Sequence, residues 1–537
     1  MHAVTEPIDP VDNLACASSV SWTSGNVAEA FPGVCTSLGF TFMHDPVELA
    51  LRAAFFEIGV FPKSELRVPT RIEDQFWTVF DGRAAANIDQ FRKLADVTPG
   101  TSATAVEEQL FGYVRPETVD NNSVRRYPAI FAKAPARLIS LPKTHDSLFA
   151  SLKQWRIERL VDVEVGDVEL ARSVLTEAAE QLQRVMKLHF LVAFVSSALA
   201  ERVSDIAAKS GKPGVEAVLL SAVGSDDNEV AGDMWQLAHG QLSMGEFISR
   251  HGYHGPQEGQ LDSTCWRENP SIVEQWLDEY RELPLDSPRS PVSRAQTQHA
   301  IREQAERELH SSLSIPNRAV AKRVVALCGR FLALRQQGKA GYLVTFDVAR
   351  AAARKIGESL VAEGRLSQTS DIFHLTYDEV LDPELVPDLV TIGDRSSRHR
   401  ERQSRHLPDA WTGVPIPIVA RGTNISESAT TGTHLVGVAG SGGVVEGRAR
   451  VVTDPSDVDL DDGDILVCNA TDPGWVGLFM VAGGVVTDLG GMLSHGAIVA
   501  RELGVPCVCN TKSASTTIAD GQMIRVDGTA GTVTILG

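Results

Sequence analysis

Apolar residues recur every three or four positions over long stretches of the chain. The clearest run lies between residues 174 and 203, with apolar positions at Val174, Leu182, Val185, Met186, Leu188, Leu191, Val192, Phe194 and Val195. This spacing places apolar side chains on one face of a helix. The helical pattern covers about residues 86–210 and returns over residues 293–363, where Pro316 interrupts it. We therefore predict a mainly α-helical region.

The last hundred residues follow a different pattern, in which short apolar runs alternate with glycine turns. Residues 442–452, 464–467 and 521–528 have the composition of strands bounded by Gly and Asp. Short helical segments lie between them. This mixture predicts a small α/β domain.

Within that domain, one segment combines a strand, a glycine turn and a helix. The apolar residues 484–486 precede Gly490 and Gly491, and the helical pattern that follows stops at residues 504–506, a Gly-Val-Pro sequence. Ser494 stands where an N-cap belongs. His495 is therefore predicted on the first turn of a helix, directly after a glycine loop.

Between the two patterns the chain is polar and contains several prolines. Residues 395–405 hold several arginines and no apolar face, and residues 423–433 are rich in Ser and Thr. Such composition favours a flexible linker. We predict a tail at 1–20, a mostly helical substrate-binding domain at 21–385, a flexible linker at 386–435 and a small α/β domain at 436–537.

Composition and charge narrow the class of protein. The 537 residues are 43% hydrophobic and carry a net charge of −19, which argues against nucleic acid or an anionic membrane as the main partner. Seven scattered cysteines indicate reduced thiols, and we expect no metal site. No apolar stretch reaches the roughly 18 residues of a membrane span, and the N-terminus lacks a signal-peptide pattern. We expect a cytoplasmic protein.

The position of His495 has chemical meaning. N–H groups at the start of a helix favour negative charge, and two glycines let the backbone approach a phosphate closely. Neutral imidazole is nucleophilic near pH 7, so the ring can carry a phosphoryl group. The alternative is an ordinary surface histidine on a capped helix.

The full segment decides between these alternatives by resemblance. The sequence TDLGGMLSHGAIVARELGVP, residues 487–506, resembles the swivelling phosphohistidine domain of the phosphoenolpyruvate-utilising enzyme superfamily. The resemblance implies that His495 is the phosphoryl carrier and that Gly490, Gly491 and Ser494 support the phosphate loop. For Arg501, on the same helix, assistance to the phosphate and pairing with an acid both stay open.

Most of the remaining chain resembles the acceptor domain of rifampin phosphotransferase-type enzymes. Arg335 and Lys339 are four residues apart and share a helix face. By spacing alone they form a solvated basic face. The resemblance implies instead that the two cations flank the acceptor and hold the phosphoryl oxygens during transfer.

Three further side chains are possible substrate-site residues. Tyr253 and His254 lie in a loop rich in Gly and His that ends at Glu258, and His374 lies in a later landmark of the same resemblance. Here the chain has Gly-Tyr-His-Gly where the family tends to have Gly-His-Arg-Gly. A structural role for each residue is the alternative.

The resemblance covers the acceptor and carrier parts of a three-part enzyme, and no Gly-x-x-x-x-Gly-Lys-Ser/Thr loop is present in the sequence. We therefore expect a phosphotransferase of the dikinase type in which a separate ATP-grasp subunit binds ATP and Mg²⁺ and loads His495. Phenylphosphate synthase-type enzymes are divided in this way, which favours a small aromatic hydroxyl acceptor, a phenol or alkylphenol such as 4-cresol. The alternatives are a rifampin-type antibiotic phosphotransferase component and a non-catalytic phosphocarrier or regulatory protein.

Overall fold

A computed structural model shows a large helical region and a smaller α/β region, which confirms the predicted multidomain, mainly helical fold class. The structure describes residues 9–11, 16–99, 101–104, 107, 114–115, 118–121, 123–209, 215–221, 226–288, 290–419, 432–453, 460–461, 463–471, 473–492 and 494–536. No helix in these ranges combines the length and the apolar content that a bilayer span requires.

The helices account for most of the described chain. They are α1 (Gly25–Ala30), α2 (Ser37–Glu57), α3 (Ile88–Val97), α4 (Tyr127–Val165), α5 (Val168–Ala208), α6 (Val215–Leu219), α7 (Asp226–Ala238), α8 (Met244–His251), α9 (Ser271–Arg281), α10 (Pro291–Ser312), α11 (Ile315–Ala362), α12 (Tyr377–Leu381), α13 (Leu389–Gln403), α14 (Val476–Val481), α15 (His495–Leu503) and α16 (Ala514–Thr517).

The strands are shorter and concentrate near the C-terminus. They are β1 (Ser21–Thr23), β2 (Trp77–Phe80), β3 (Arg83–Asn87), β4 (Arg405–His406), β5 (Ala410–Thr412), β6 (Ile418–Val419), β7 (His434–Val436), β8 (Val438–Ser441), β9 (Val444–Val452), β10 (Ile465–Cys468), β11 (Gly484–Thr487), β12 (Cys507–Cys509), β13 (Met523–Asp527) and β14 (Thr532–Ile535).

The chain divides into two compact units. The first contains residues up to 191, 259–263 and 341–421, and the second contains residues 192–258, 264–340 and 422–537. This division differs from the predicted boundaries. The reason is that helical segments of the second unit share an apolar core with the α/β region, as Trp276 and Phe479 do.

In the first unit, a buried carboxylate links α2 to an antiparallel sheet of order β2-β3-β1-β5. Glu48 is completely buried and accepts hydrogen bonds from Arg52 Nε at 2.7 Å and from the Phe76 backbone N–H at 2.9 Å. Burial of a carboxylate is costly unless it is paired in this way. The pairing therefore fixes α2 against the chain that enters β2.

The arginine-rich stretch that predicted a flexible linker is folded over residues 386–419. Helix α13 is capped by Asp388, whose carboxylate accepts from the Thr391 N–H at 2.8 Å. Arg395 donates to Glu379 at 2.7 Å, and β5 pairs with β1. Two arginines of this stretch, Arg395 and Arg402, are buried with the carboxylates of Glu379 and Asp9 as partners. Residues 420–431 of the predicted linker lie outside the described residues.

A buried ion pair also orders part of the predicted tail. Asp9 is buried and accepts from Arg402 Nη1 at 2.8 Å, and Val11 is buried as well. Residues 1–8 and 12–15 lie outside the described ranges. The tail prediction for residues 1–20 is therefore wrong where Asp9 and Val11 are concerned, because an ion pair with a residue almost 400 positions away cannot be read from local composition.

Pro316 begins a helix instead of breaking one. Helix α10 ends at Ser312 and α11 starts at Ile315, so Pro316 is its second residue. A proline is tolerated there because the first N–H groups of a helix have no intrahelical partner. The interruption predicted at this position is thus the boundary between two helices.

The second unit contains an eight-stranded sheet of order β7-β14-β13-β9-β10-β11-β12-β8. Strands β9 to β12 are parallel, and α14 and α15 are the connections between β10, β11 and β12. His495 is the first residue of α15, just beyond the carboxyl end of β11. In parallel α/β sheets this edge is where ligands bind.

Candidate functional site

Helix α15 begins and ends where the sequence predicts. Ser494 has an extended backbone, and its Oγ accepts from the Ala497 N–H at 3.5 Å and donates to the Gly491 carbonyl at 2.8 Å. Gly504 ends the helix in the left-handed conformation, with φ at 67°. The capping serine therefore joins the glycine turn to the first turn of the helix.

The two glycines of the turn differ in what they require. Gly490 has φ at 109°, a conformation that residues with a Cβ rarely adopt. At Gly491 a Cβ would meet no atom within 4 Å. Gly490 is needed for the shape of the turn, whereas a side chain at 491 would meet no neighbouring atom.

The imidazole of His495 is buried rather than on the surface, with 5% of the residue exposed. Its Nδ1 lies 3.3 Å from Thr471 Oγ1, and the ring of Phe479 meets it edge-on at 6.2 Å between centroids. A Cβ on Gly496 would come within 2.8 Å of the same Thr471 oxygen. Glycine at 496 therefore allows the helix to approach Thr471, and the contact at Nδ1 helps to fix the orientation of the imidazole.

The loop between β11 and α15 is supported by Asp488. Its carboxylate accepts from Thr511 Oγ1 at 3.0 Å and from the Ser515 N–H at 3.1 Å. Sequence reasoning assigned no role to Thr471 or Asp488. Their partners lie 23 to 27 residues away, so spacing along the chain gives no signal for either contact.

The Arg501 side chain binds backbone carbonyls, one of which belongs to the loop before His495. Its guanidinium is buried and donates to the Gly440 carbonyl at 3.2 Å and to the Met492 carbonyl. Burial lowers the pKa of this guanidinium, and the nearby Cys509 and Cys507 oppose that shift. Both alternatives left open by the sequence assumed an anionic partner, but the hydrogen bonds described here go to two carbonyls.

Arg335 and Lys339 lie on α11, and both are half-buried. Met492, three residues before His495, packs against an apolar cluster of α5, α6, α10 and α11 that includes Leu332. Leu332 lies about one helical turn before Arg335. The loop that carries His495 and the segment that carries the two cations therefore border one cluster in the second unit.

The loop before α9 holds a buried histidine and glutamate. His254 and Glu258 are 1% and 2% exposed, with 2.8 Å between His254 Nδ1 and Glu258 Oε2. Tyr253 is buried, and its ring centroid lies 4.3 Å from that of His254. These features fit the structural role that the sequence left open, and they also orient the His254 ring as a carboxylate orients a catalytic histidine.

His374 belongs to the first unit, whereas Tyr253, His254 and His495 belong to the second. Burial, together with the neighbouring His399, lowers the pKa of His374 to about 4. The side chain is therefore neutral near pH 7. The ring centroids of His374 and His399 are 5.6 Å apart.

Two family models match the chain. Residues 460–531 match the model described as "PEP-utilising enzyme, mobile domain", and residues 149–336 match "Rifampicin phosphotransferase fourth domain". The first match contains the whole β10–α15 region, and the second ends one residue after Arg335. The resemblance to the phosphoenolpyruvate-utilising superfamily is confirmed.

Curated relatives agree with these matches. A rifampicin phosphotransferase of Bacillus cereus is 30% identical over 58% of this chain and 36% of its own length, and one of Bacillus subtilis is 32% identical over 54% and 34%. An uncharacterised protein of Mycobacterium tuberculosis is 29% identical over 64% of this chain and 36% of its own. The chain thus spans about a third of the length of these relatives.

A solution structure of Enzyme I is 14% identical and covers 63% of this chain and 79% of its own. Its TM-score of 0.16 is too low to support an argument.

Replacement of Thr471 by valine tests the orientation of the imidazole. Valine keeps the shape of threonine but removes the hydroxyl, which leaves His495 Nδ1 without this partner in a buried site. We expect Thr471→Val to shift the tautomer populations of His495, measured from the ring ¹⁵N chemical shifts, and to destabilise the protein by about 1–3 kcal/mol. Thr471→Ser retains the hydroxyl and should give the wild-type shifts. Equal spectra for both variants would contradict this orientation.

Proposed function

Because the chain contains a mobile domain of the phosphoenolpyruvate-utilising type, we propose that it is a phosphotransferase component that carries a phosphoryl group on His495. The observation that supports this most is the geometry at the start of α15. Thr471 lies at Nδ1 of a histidine that is the first residue of α15, and a glycine turn precedes this helix. The N-terminal N–H groups of α15 add a field that favours a phosphate at this position.

The proposed reaction has two steps. In the first, a ring nitrogen of His495 attacks the β-phosphorus of ATP, a phosphorus–nitrogen bond forms, and the bond from the β-phosphorus to the α–β bridging oxygen breaks, so that AMP leaves. Water then hydrolyses the bond between the β- and γ-phosphates, which releases inorganic phosphate and leaves one phosphoryl group on the ring. As the resemblance implies, ATP and water together yield AMP, inorganic phosphate and the phosphorylated acceptor. In the second step, the acceptor hydroxyl takes the phosphoryl group and loses its proton, and His495 returns to its neutral form.

We further propose that the phosphoryl group comes from ATP, and that a separate ATP-grasp subunit binds this ATP together with Mg²⁺. Arg335 and Lys339 would then act in the second step, because two cations on one helix face can hold the charge of the phosphoryl group as it moves. Their location beside the cluster that packs against Met492 is consistent with this role. His254 is a candidate to receive the proton of the acceptor, since Glu258 holds its ring.

For the acceptor, the comparisons favour a rifampin-type alcohol over the phenol expected from the sequence. The named relatives are rifampicin phosphotransferases, and one matching model carries that name too. The argument for a phenol used the division of related enzymes between chains, and the comparisons give it no support. We therefore propose the bulky alcohol of a rifampicin-type antibiotic as the acceptor.

A panel of acceptors tests this choice. Rifampicin, phenol and 4-cresol would each be incubated with the protein, the ATP-grasp subunit and Mg-ATP, and phosphorylated products would be quantified by mass spectrometry. We expect rifampicin phosphate. Turnover of phenol or 4-cresol without rifampicin would restore the aryl-phosphate hypothesis, and a labelled protein with no phosphorylated acceptor would favour a non-catalytic carrier.

Replacement of His495 by alanine should abolish labelling of the protein by [β-³²P]ATP in the presence of the ATP-grasp subunit. In the wild type the label should be lost in acid and retained in base, as expected for phosphohistidine. His299→Ala, which changes an exposed histidine on α10, is the matched control and should be labelled normally. Full labelling of the His495→Ala protein would exclude the carrier role.

Replacement of Arg335 or Lys339 by alanine should slow transfer to the acceptor about 10²- to 10³-fold, since loss of a charge-stabilising group typically has this effect. Loading of His495 should be unchanged. Arg318 and Lys322 have the same spacing on α11 and are exposed, so their alanine variants are matched controls with normal transfer. A loss of loading, or no change in either step, would contradict the assignment.

A further inference from the structure

One apolar core joins the α/β domain that contains His495 (β7 to β14 with α14 to α16, here called the carrier domain) to three helices of the second unit. On the α/β side it contains residues of β10, α14, α15 and β12, including Leu466, Phe479 and Leu503. On the helical side it contains residues of α7, α8 and α9, among them Met234, Phe247, Val273 and Trp276, and Trp266 of the loop between α8 and α9, all at most 6% exposed. The face of α14 and α15 is thus covered as completely as the interior of a domain.

Trp276 of α9 packs closely on Gly477 of α14 in this core. A Cβ on Gly477 would lie 2.5 Å from Cδ2 and Cε3 of the Trp276 indole. Contacts this short do not occur, so the indole can lie against α14 only because residue 477 has no side chain. Any larger residue would force the two helices apart or displace the indole.

The next turn of α9 adds a directional contact to the same residue. Tyr280 is 2% exposed, and its hydroxyl donates to the Gly477 carbonyl at 2.7 Å. Its ring also lies 6.4 Å from Trp235 of α7. A buried hydroxyl that has a carbonyl partner fixes the position of α14 along α9 as well as its distance.

Helix α15 is held from the same side near its C-terminal end. Asn228 of α7 donates to Glu502 Oε2 at 2.7 Å, and Gln298 of α10 lies where a Cβ on Gly504 would come within 2.3 Å of its Nε2. These two contacts and the contact at Gly477 lie on three different helices. The first two hold α15, and the contact at Gly477 holds the neighbouring α14.

Phe479 connects the part of α14 that Trp276 contacts with the imidazole of His495. Phe479 is two residues further along α14, is fully buried and meets the His495 ring edge-on. A displacement of α14 would therefore move Phe479 and change the support of the imidazole. Met492, in the loop before His495, packs against the cluster that borders the Arg335 segment.

We propose that Trp276 and Tyr280 are positioning residues that dock the carrier domain through Gly477 in the state from which His495 delivers its phosphoryl group to the acceptor. The proposal rests on the proposed function, since it assigns this docked arrangement to the second of the two steps. It predicts that weakening the contact slows delivery and does not slow loading, because the ATP-grasp subunit must engage His495 separately.

The two steps can be measured one at a time with Gly477→Ala, Tyr280→Phe and a control. Gly232→Ala also adds one methyl group to a helical glycine, but its Cβ would meet no atom within 4 Å. Loading is followed by acid-labile label on His495, and delivery by single-turnover loss of that label to the acceptor. We expect Gly477→Ala to slow delivery at least about tenfold and Tyr280→Phe about fivefold, with loading no slower and Gly232→Ala unchanged.

Hydrogen exchange provides a measurement that does not depend on the reaction. The amides of α14 and α15 should exchange faster in Gly477→Ala and Tyr280→Phe than in the wild type or in Gly232→Ala. If Gly477→Ala does not fold, Tyr280→Phe alone carries the test, because it removes one oxygen and creates no overlap.

The possible outcomes separate this inference from the proposed function. Delivery at the wild-type rate in both variants, or an equal slowing of loading and delivery, would overturn the positioning role. Failure of the wild-type protein to load would instead refute the proposed function. In that case, exchange rates in the two variants equal to those of Gly232→Ala would overturn the docking contact as well.

Discussion

The orientation of His495 depends on how closely the start of α15 can approach the hydroxyl of Thr471. His495 can reach Thr471 with its Nδ1 only because the next residue, Gly496, has no Cβ to collide with the same oxygen. The turn before the helix needs a second glycine for another reason, since Gly490 has a left-handed backbone. Space constrains residue 496, backbone conformation constrains residue 490, and helix capping constrains Ser494. The orientation of the imidazole results from all three.

The local parts of this arrangement could be predicted from the sequence. Helix starts and ends follow from short-range rules, so the positions of Ser494, His495 and Gly504 were identified correctly. Thr471, Asp488 and Trp276 were not, because each acts through a partner distant in sequence. Spacing can show that a residue lies on a helix or a turn, but it cannot show which distant residue the fold brings to it.

Charged residues explain the largest difference between the predicted and the observed fold. Residues 395–405 lack an apolar face, and low hydrophobicity normally indicates a segment without a core. Here Arg395 and Arg402 are buried against Glu379 and Asp9 and provide the stabilising contacts that apolar side chains usually provide. A pattern based only on hydrophobicity cannot detect a segment that is folded by ion pairs, because the same composition is typical of linkers.

The burial of His495 has a consequence for the lifetime of any species formed on it. If His495 is phosphorylated as proposed, hydrolysis of the phosphorus–nitrogen bond would release the phosphoryl group before it reaches an acceptor. With 5% of the residue exposed and Phe479 against one side of the ring, few directions remain from which solvent can attack in line with the phosphorus–nitrogen bond. The enclosure that fixes the ring would therefore also protect the intermediate from solvent until an acceptor hydroxyl takes the place of water.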